Sequence, residues 1–303
     1  MLEVKNLSFA FPTHAAVNDL NLHHNQHSVI AFLGHNGAGK TTTLRLLAGH
    51  LQPASGEVKV LSEHPLTHPE VRSKIGFLPE NPALYPEYRV REQLRFSADL
   101  YQLPTTTYQQ NLERVIELCA LEDFLHKFPG QLSKGLQQRV SLAQSLIHNP
   151  QLILLDEPGS NLDPLERHRL SETLKKLGQD ACVIYSTHHL GDALSVADFF
   201  WVIATGQQRF YGSREQLSGS EMQVEVRFKN EFPESQLTQT PDIEVIRKIN
   251  SNTFVLKAKP DPLPILVRAG YQISTLRASD YSAEDQLLRW LGDHPQAHLE
   301  SST

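Results

Sequence analysis

The sequence predicts an α/β protein built on a largely parallel, buried sheet and followed by a smaller α+β unit. Three observations predict it. The apolar run "SVIAFL" at 28–33 passes directly into the glycine-rich "GHNGAGKTT" and then into helical spacing of Leu44, Leu47 and Ala48. Strand, loop and helix in that order open an α/β unit. Two further apolar runs, "LILLD" at 152–156 and "CVIYSTH" at 182–188, do not alternate, which suits strands covered on both faces of a parallel sheet. Beyond about residue 220 the texture changes, and "MQVEVRF", "IEVIRKI" and "TFVLKAK" alternate like strands with one wet face.

Taken in order, residues 2–33 read as short strands with turns, beginning with the period-two run "MLEVKNLSFAF". The histidine-rich "HHNQH" (His23, His24, His27) falls between two strand-like runs, where a polar turn is expected. No acid or cysteine nearby completes a metal-ligand set. Between about 80 and 150 the spacing becomes helical, with Val115, Leu118 and Leu125 among the apolar positions. In the C-terminal part, "NSN" at 250–252 is a hairpin turn, and "DPLPILVRAG" and "SAEDQLLRWLGD" are short helices, the second capped by Ser282. The expected domains are 1–218, 219–293 and a frayed tail at 294–303.

Composition excludes several classes. The 303 residues are 40% hydrophobic and 20% charged, enough for a sizeable core, and the net charge of -6 offers no basic face to nucleic acid. Cys119 and Cys182 suit reduced thiols better than a disulfide framework. No basic leader precedes an apolar run, and no stretch approaches the roughly 18 apolar residues of a membrane span. Any work at a membrane is therefore expected to go through a partner.

"GHNGAGKT", Gly34 to Thr41, fits the phosphate-loop pattern G-x-x-x-x-G-K-[ST]. Its glycines let successive N–H groups face a phosphate, and the following helix adds the positive end of its dipole. Lys40 is placed to reach β and γ oxygens, and the Thr41 hydroxyl to hold Mg2+. In "LILLDEP" a buried strand ends in Asp156, suited to the Mg2+ shell, and Glu157, suited to polarise an attacking water. "LSKGLQQRV" at 132–140 starts a helix whose Ser133 and Gly135 also have anion-binding chemistry. That second phosphate-reading element, so far from the first, calls for an explanation.

These motifs resemble the ATP-binding cassette family over residues 2 to about 215. "GHNGAGKTT" is similar to the Walker A loop, "LILLDEP" to Walker B, "LSKGLQQRV" to the signature, "SNLDP" at 160–164 to the D-loop, and "STHHL" at 186–190 to the switch region. His188 aligns best with the switch histidine, with His189 as the alternative. The resemblance implies a P-loop NTPase fold: a RecA-like parallel sheet core with an antiparallel β subdomain and a helical insert at about 80–145, plus the small C-terminal α+β domain. It implies ATP and Mg2+ as cofactors.

The ATP-binding residues it implies are Phe11 (stacking on adenine), Gly34, His35, Asn36, Gly37, Ala38, Gly39, Lys40, Thr41, Thr42 and Glu80. Thr41, Glu80 and Asp156 would hold Mg2+, and Glu157 and His188 would be catalytic. Leu132, Ser133, Lys134, Gly135, Leu136 and Asp163 would act in trans, because cassettes of this family stack head to tail around two ATP molecules. The puzzle of two phosphate-reading elements then has an answer: each is half of a site.

"LPEN", with Glu80 in place of the usual Q-loop glutamine, and "LSKG" are similar to the branch that serves ABC-2-type exporters. The expectation is an ATPase subunit that forms a homodimer and drives integral-membrane permease subunits. It would lie in the cytoplasm, peripheral on the cytoplasmic face of the inner (plasma) membrane, with no nucleic-acid partner. A soluble non-transport ABC ATPase, or an ATP-gated regulatory module, is the alternative. The first would carry two cassettes or a long coiled coil, and Glu157 and His188 argue against the second.

Overall fold

The computed structural model describes residues 1–160, 162–218, 222–240, 242–258, 262–278, 287–288 and 290–292. The Ser282 cap, the 294–303 tail and Asn161 of the "SNLDP" motif lie outside them. The chain divides into two compact units, the first made of Met1–Tyr211 with Trp290–Gly292 and the second running from Gly212.

The first unit begins with β1 (Leu2–Phe11), β2 (His14–His24) and β3 (Ser28–Leu33), followed by α1 (Lys40–Leu47), β4 (Ser55–Val60), the short α2 (Pro69–Arg72) and β5 (Ile75–Leu78). Three helices come next: α3 (Val90–Leu100), α4 (Thr105–Cys119) and α5 (Lys134–Leu146). The chain then returns through β6 (Leu152–Leu155), α6 (Pro164–Asp180), β7 (Cys182–Thr187), α7 (Leu190–Val196), β8 (Phe199–Ala204) and β9 (Gln207–Ser213). The nine strands form one sheet in the order β4-β1-β2-β9-β8-β3-β7-β6-β5.

Two kinds of pairing meet in this sheet. β1 lies antiparallel between β2 and β4, and its alternating burial leaves polar residues such as Lys5 outward. β8, β3, β7, β6 and β5 are parallel neighbours. All six residues of β3, all four of β6 and all six of β7 are buried, as the unbroken apolar runs predict for strands covered on both faces. Phe32 stacks on Trp201 of β8 at 4.4 Å, and each such fully buried side chain contributes about 1.5–3 kcal/mol. Gly178 of α6 lets that helix approach β3, since a Cβ there would sit 2.5 Å from Val29 Cγ2. Cys119 and Cys182 are free and buried, and burial pushes both thiols up to about 12.

One local expectation is corrected. His23 and His24 are not in a turn, because β2 runs to His24. His24 is buried; its Nδ1 meets Tyr211 Oη at 2.6 Å and its Nε2 meets Gln26 O at 2.9 Å and Ser28 Oγ at 2.8 Å. Burial lowers its pKa, favouring the neutral ring. It is a satisfied core histidine, paired across 187 residues with a tyrosine that local sequence could not reveal.

The second unit contains α8 (Arg214–Ser218), β10 (Met222–Phe228), α9 (Glu234–Leu237), β11 (Ile243–Asn250), β12 (Thr253–Ala258), α10 (Pro262–Arg268) and β13 (Ile273–Ala278). Its sheet is antiparallel in the order β11-β12-β10-β13. Val224, Val226, Phe228, Phe254 and Leu256 alternate onto one face and pack with Leu237 and Leu266 in a core of their own. Asn250 pairs with Thr253 at the tip of the β11–β12 hairpin.

Candidate functional site

Parallel strands point the same way, so the loops that leave them gather at one edge of the sheet. The registers Leu33↔Thr187, Leu155↔Tyr185 and Leu78↔Leu155 align the strand ends. The loop 34–39, Glu80, Asp156–Glu157 and His188 therefore meet, although they are far apart in sequence. Beside them is a cleft of about 310 Å³ lined by His35, Asn36, Gly37, Gly39, Lys40, Thr41, Thr42, Glu80, Glu157 and His188, with His14, Ala16 and Ser160.

Gly39 heads α1 with φ 103°, and a Cβ there would stand 2.3 Å from Ala16 O. Only glycine lets the loop turn that tightly over β2. Lys40 is buried; its ammonium donates to Gly34 O at 2.7 Å and His35 O at 3.3 Å, and lies 3.2 Å from Glu157 Oε1. The other Glu157 oxygen lies 3.1 Å from His188 Nδ1. One carboxylate thus stands between an ammonium and an imidazole. Glu157 has a left-handed backbone, φ 47°, and its N–H donates to Ser186 Oγ at 2.8 Å. The Ser186 hydroxyl in turn donates to Asp156 Oδ1 at 2.8 Å.

Residues 17–160 match the family described as ABC transporter. The uncharacterized ABC transporter ATP-binding protein YxlF of Bacillus subtilis (strain 168) is 33% identical over 95% of this chain and 99% of its own length. The chain belongs to the ABC transporter ATP-binding family. Like the family's other members it is an ATPase that binds ATP. The Nod factor export ATP-binding protein I of Cupriavidus metallidurans (strain ATCC 43123 / DSM 2839 / NBRC 102507 / CH34) is 30% identical over 87% of this chain and 88% of its length. Among solved structures, an ATP-binding subunit of an ABC transporter is 31% identical, with a TM-score of 0.66 over 72% of this chain and 92% of that one.

Not every expected residue of this ABC ATPase lines the cleft. Gly34, Ala38 and Asp156 are buried and are not among the lining residues. Phe11 is 37% exposed at the end of β1, edge-on to Phe9 and 5.3 Å from His14, and it is His14 that reaches the cleft. His14, Ser160 and Ser186 have no role assigned by the sequence motifs, because a polar residue beside a turn carries no local signal of what it faces. The segment Leu132–Leu136 and Asp163 are not among the cleft-lining residues. Ser133 is the N-cap of α5, accepting from Leu136 N at 3.2 Å, and Asp163 is the N-cap of α6, accepting from Glu166 N at 2.9 Å. His189 occupies the N-cap position of α7 without a side-chain capping bond, its ring 4.1 Å from that of His188. On the cleft's other flank, His35 Nε2 donates to Leu291 O at 3.0 Å and Trp290 stacks on Phe210 at 4.2 Å.

Proposed function

We propose that two copies of this chain close around two ATP molecules, and that hydrolysis in the shared sites drives a membrane permease of the ABC-2 export type. The observation that carries the reading is the Lys40–Glu157–His188 contact at the head of α1. Glycines 34, 37 and 39 with His35, Asn36, Ala38, Thr41 and Thr42 would wrap the phosphates, with Lys40 as a point charge. Phe11 would lie beneath the adenine. Once ATP competes for Lys40, Glu157 is released to take a proton from the attacking water, and His188 reports the γ-phosphate.

The donor set also fits a hard divalent cation. Oxygen ligands Thr41, Glu80 and Asp156 sit at or just behind the cleft, and oxygen is what Mg2+ takes. When bound, Mg2+ would supply charge neutralisation at the phosphates. Leu132, Ser133, Lys134, Gly135, Leu136 and Asp163 would complete the partner's site, which accounts for their absence from the lining of their own chain's cleft.

The permease reading is supported by a separate surface cleft of about 620 Å³. It lies between β5 residues Ile75 and Phe77, His50, and the exposed Leu100 and Tyr101 at the end of α3, with the charged Glu70 and Arg72 also in its lining, a mixed apolar and charged surface suited to a partner's amphipathic helix. Among the described residues no helix is long and apolar enough to cross a membrane, so attachment to the cytoplasmic face would go through the permease. The relatives include import ATPases, such as a sulfate/thiosulfate one matched over 61% of its length. The export direction is favoured by "LPEN" and "LSKG" and by the 88% coverage of the Nod factor export relative. Residues 1–218 would form the cassette and 219–293 an accessory domain.

The test is Glu157→Gln. It keeps the fold and the phosphate contacts while removing the base and its charge, so ATP binding should persist and turnover fall by about 10²–10⁴-fold. A dimer should then accumulate with ATP and Mg2+ in size-exclusion light scattering. A variant that stays monomeric, or that hydrolyses at the parent rate, would sink the reading.

A further inference from the structure

The two elements assigned to the partner's nucleotide, Ser133 with Gly135 and Asp163, are fastened to each other within one chain. We infer that Glu166 is a positioning residue that makes the signature helix and the D-loop one rigid half-site. The inference rests on the reading that these elements act in trans.

Glu166 lies in the first turn of α6, where Asp163 Oδ1 accepts its N–H at 2.9 Å. Its carboxylate reaches across to α5 and takes a forked pair of hydrogen bonds from Arg139, with Nε at 2.8 Å from Oε2 and Nη2 on Oε1. Arg169 Nη1 donates to the same Oε1 at 2.8 Å. The Arg139 and Glu166 side chains are each only 15% exposed, so the fork is partly shielded from water and holds direction as well as charge. The Glu166 stem also fills the space beside Gly135. A Cβ at 135 would come within 3.0 Å of Glu166 Cγ and 3.2 Å of Cδ.

The same side chain therefore touches the signature turn, clamps the next turn of its helix through Arg139, and belongs to the turn capped by Asp163. Around the fork the helices do not close on each other: a cavity of about 260 Å³ has Gly135, Arg139 and Leu142 of α5 and Glu166, Leu170 and Thr173 of α6 in its walls. With apolar packing thin there, the polar bridge sets the spacing of Ser133 from Asp163. The half-site is thus held together by contacts within one chain, as pre-positioning of reacting groups requires.

A positioning role in trans has a specific signature in mixed dimers. Full-length chains carrying two different tags are purified as heterodimers. In the pairing of Glu166→Gln with Lys40→Ala, both lesions fall on one composite site. The other site keeps Lys40 from the Glu166→Gln chain and an intact Glu166 bridge from its partner. Expected is a Glu166→Gln homodimer with kcat lowered by about 10- to 100-fold, and unchanged affinity of the single chain for a fluorescent ATP analogue. The mixed dimer should match the rate of a reference dimer pairing Ser133→Arg with Lys40→Ala. Arg139→Lys, which keeps the charge and loses the fork, should show the same pattern and serves if Glu166→Gln does not fold. A homodimer at the parent rate, or a mixed dimer as slow as the homodimer while the reference is active, would overturn the inference and leave the proposed function standing. An inactive reference dimer would overturn the reading of independent sites acting in trans, and this inference with it.

Discussion

Glu157 occupies a left-handed conformation without being glycine, a strain of about 1–3 kcal/mol that persists only where its surroundings hold it. Ser186 does the holding, accepting from the Glu157 N–H and donating to Asp156. Ser186→Ala should therefore leave a buried N–H unpaired, lower stability by about 1–3 kcal/mol in chemical denaturation, and slow hydrolysis more than it weakens ATP binding. A variant with parent stability and parent kcat would show that Ser186 does not support the acid pair. Gly39→Ala meets both an unfavourable φ and the Ala16 carbonyl. The expected outcome is loss of measurable ATP binding by calorimetry. At this scale the sequence made Gly39, Lys40 and Glu157 visible because each belongs to a spaced motif. Ser186 stayed hidden because nothing in "VIYST" says which side chain faces the neighbouring strand.

Among elements, His148 shows how the three-helix insert is tied to the sheet. It follows α5, stacks on Tyr101 at the end of α3 at 3.7 Å, and bonds Ile75 O of β5 through Nε2 at 3.1 Å. Burial pushes its pKa down to about 4 from the ordinary 6.5. A histidine with a depressed folded pKa is neutral when folded, while the unfolded chain takes up the proton first. Its contribution is complete above pH 6.5 and is lost as pH falls towards 4. Acidification from about pH 7 to pH 5 should cost about 2 kcal/mol through this group alone. His148→Phe should keep the stack and flatten that pH dependence in urea titrations; an unchanged slope would show that other groups carry it. Helical spacing made α3 to α5 readable from sequence. The tie did not show, because Tyr101, Ile75 and His148 meet only after the sheet has formed.

The whole molecule consists of two units, each with its own hydrophobic core. Separate cores unfold as separate cooperative units when little else couples them. Scanning calorimetry should resolve two transitions. Phe254→Ala, in the core of the second unit, should lower one of them by about 3–5 kcal/mol and leave ATP binding and the other unchanged. A single transition that moves as a whole would show one cooperative body. The sequence changes from unbroken apolar runs to alternation near residue 220, because a strand covered on both faces and a strand covered on one need different side-chain patterns, while the compact units divide at Tyr211/Gly212.

The sequence by itself determined the motifs of this ATPase: a phosphate-loop pattern, a paired Asp156 and Glu157, a histidine after the next strand, and a serine-capped helix start at Ser133. Each is legible because backbone geometry demands particular residues at fixed short spacings. What only the tertiary structure decided is which of those groups meet. Parallel pairing of β3, β7, β6 and β5 brings Lys40, Glu157 and His188 to one edge, and the fork between Arg139 and Glu166 joins Ser133 to Asp163. Those contacts span from 27 residues for Arg139–Glu166 to 117 for Lys40–Glu157, and their register is set by sheet hydrogen bonds and core packing, which no local spacing encodes.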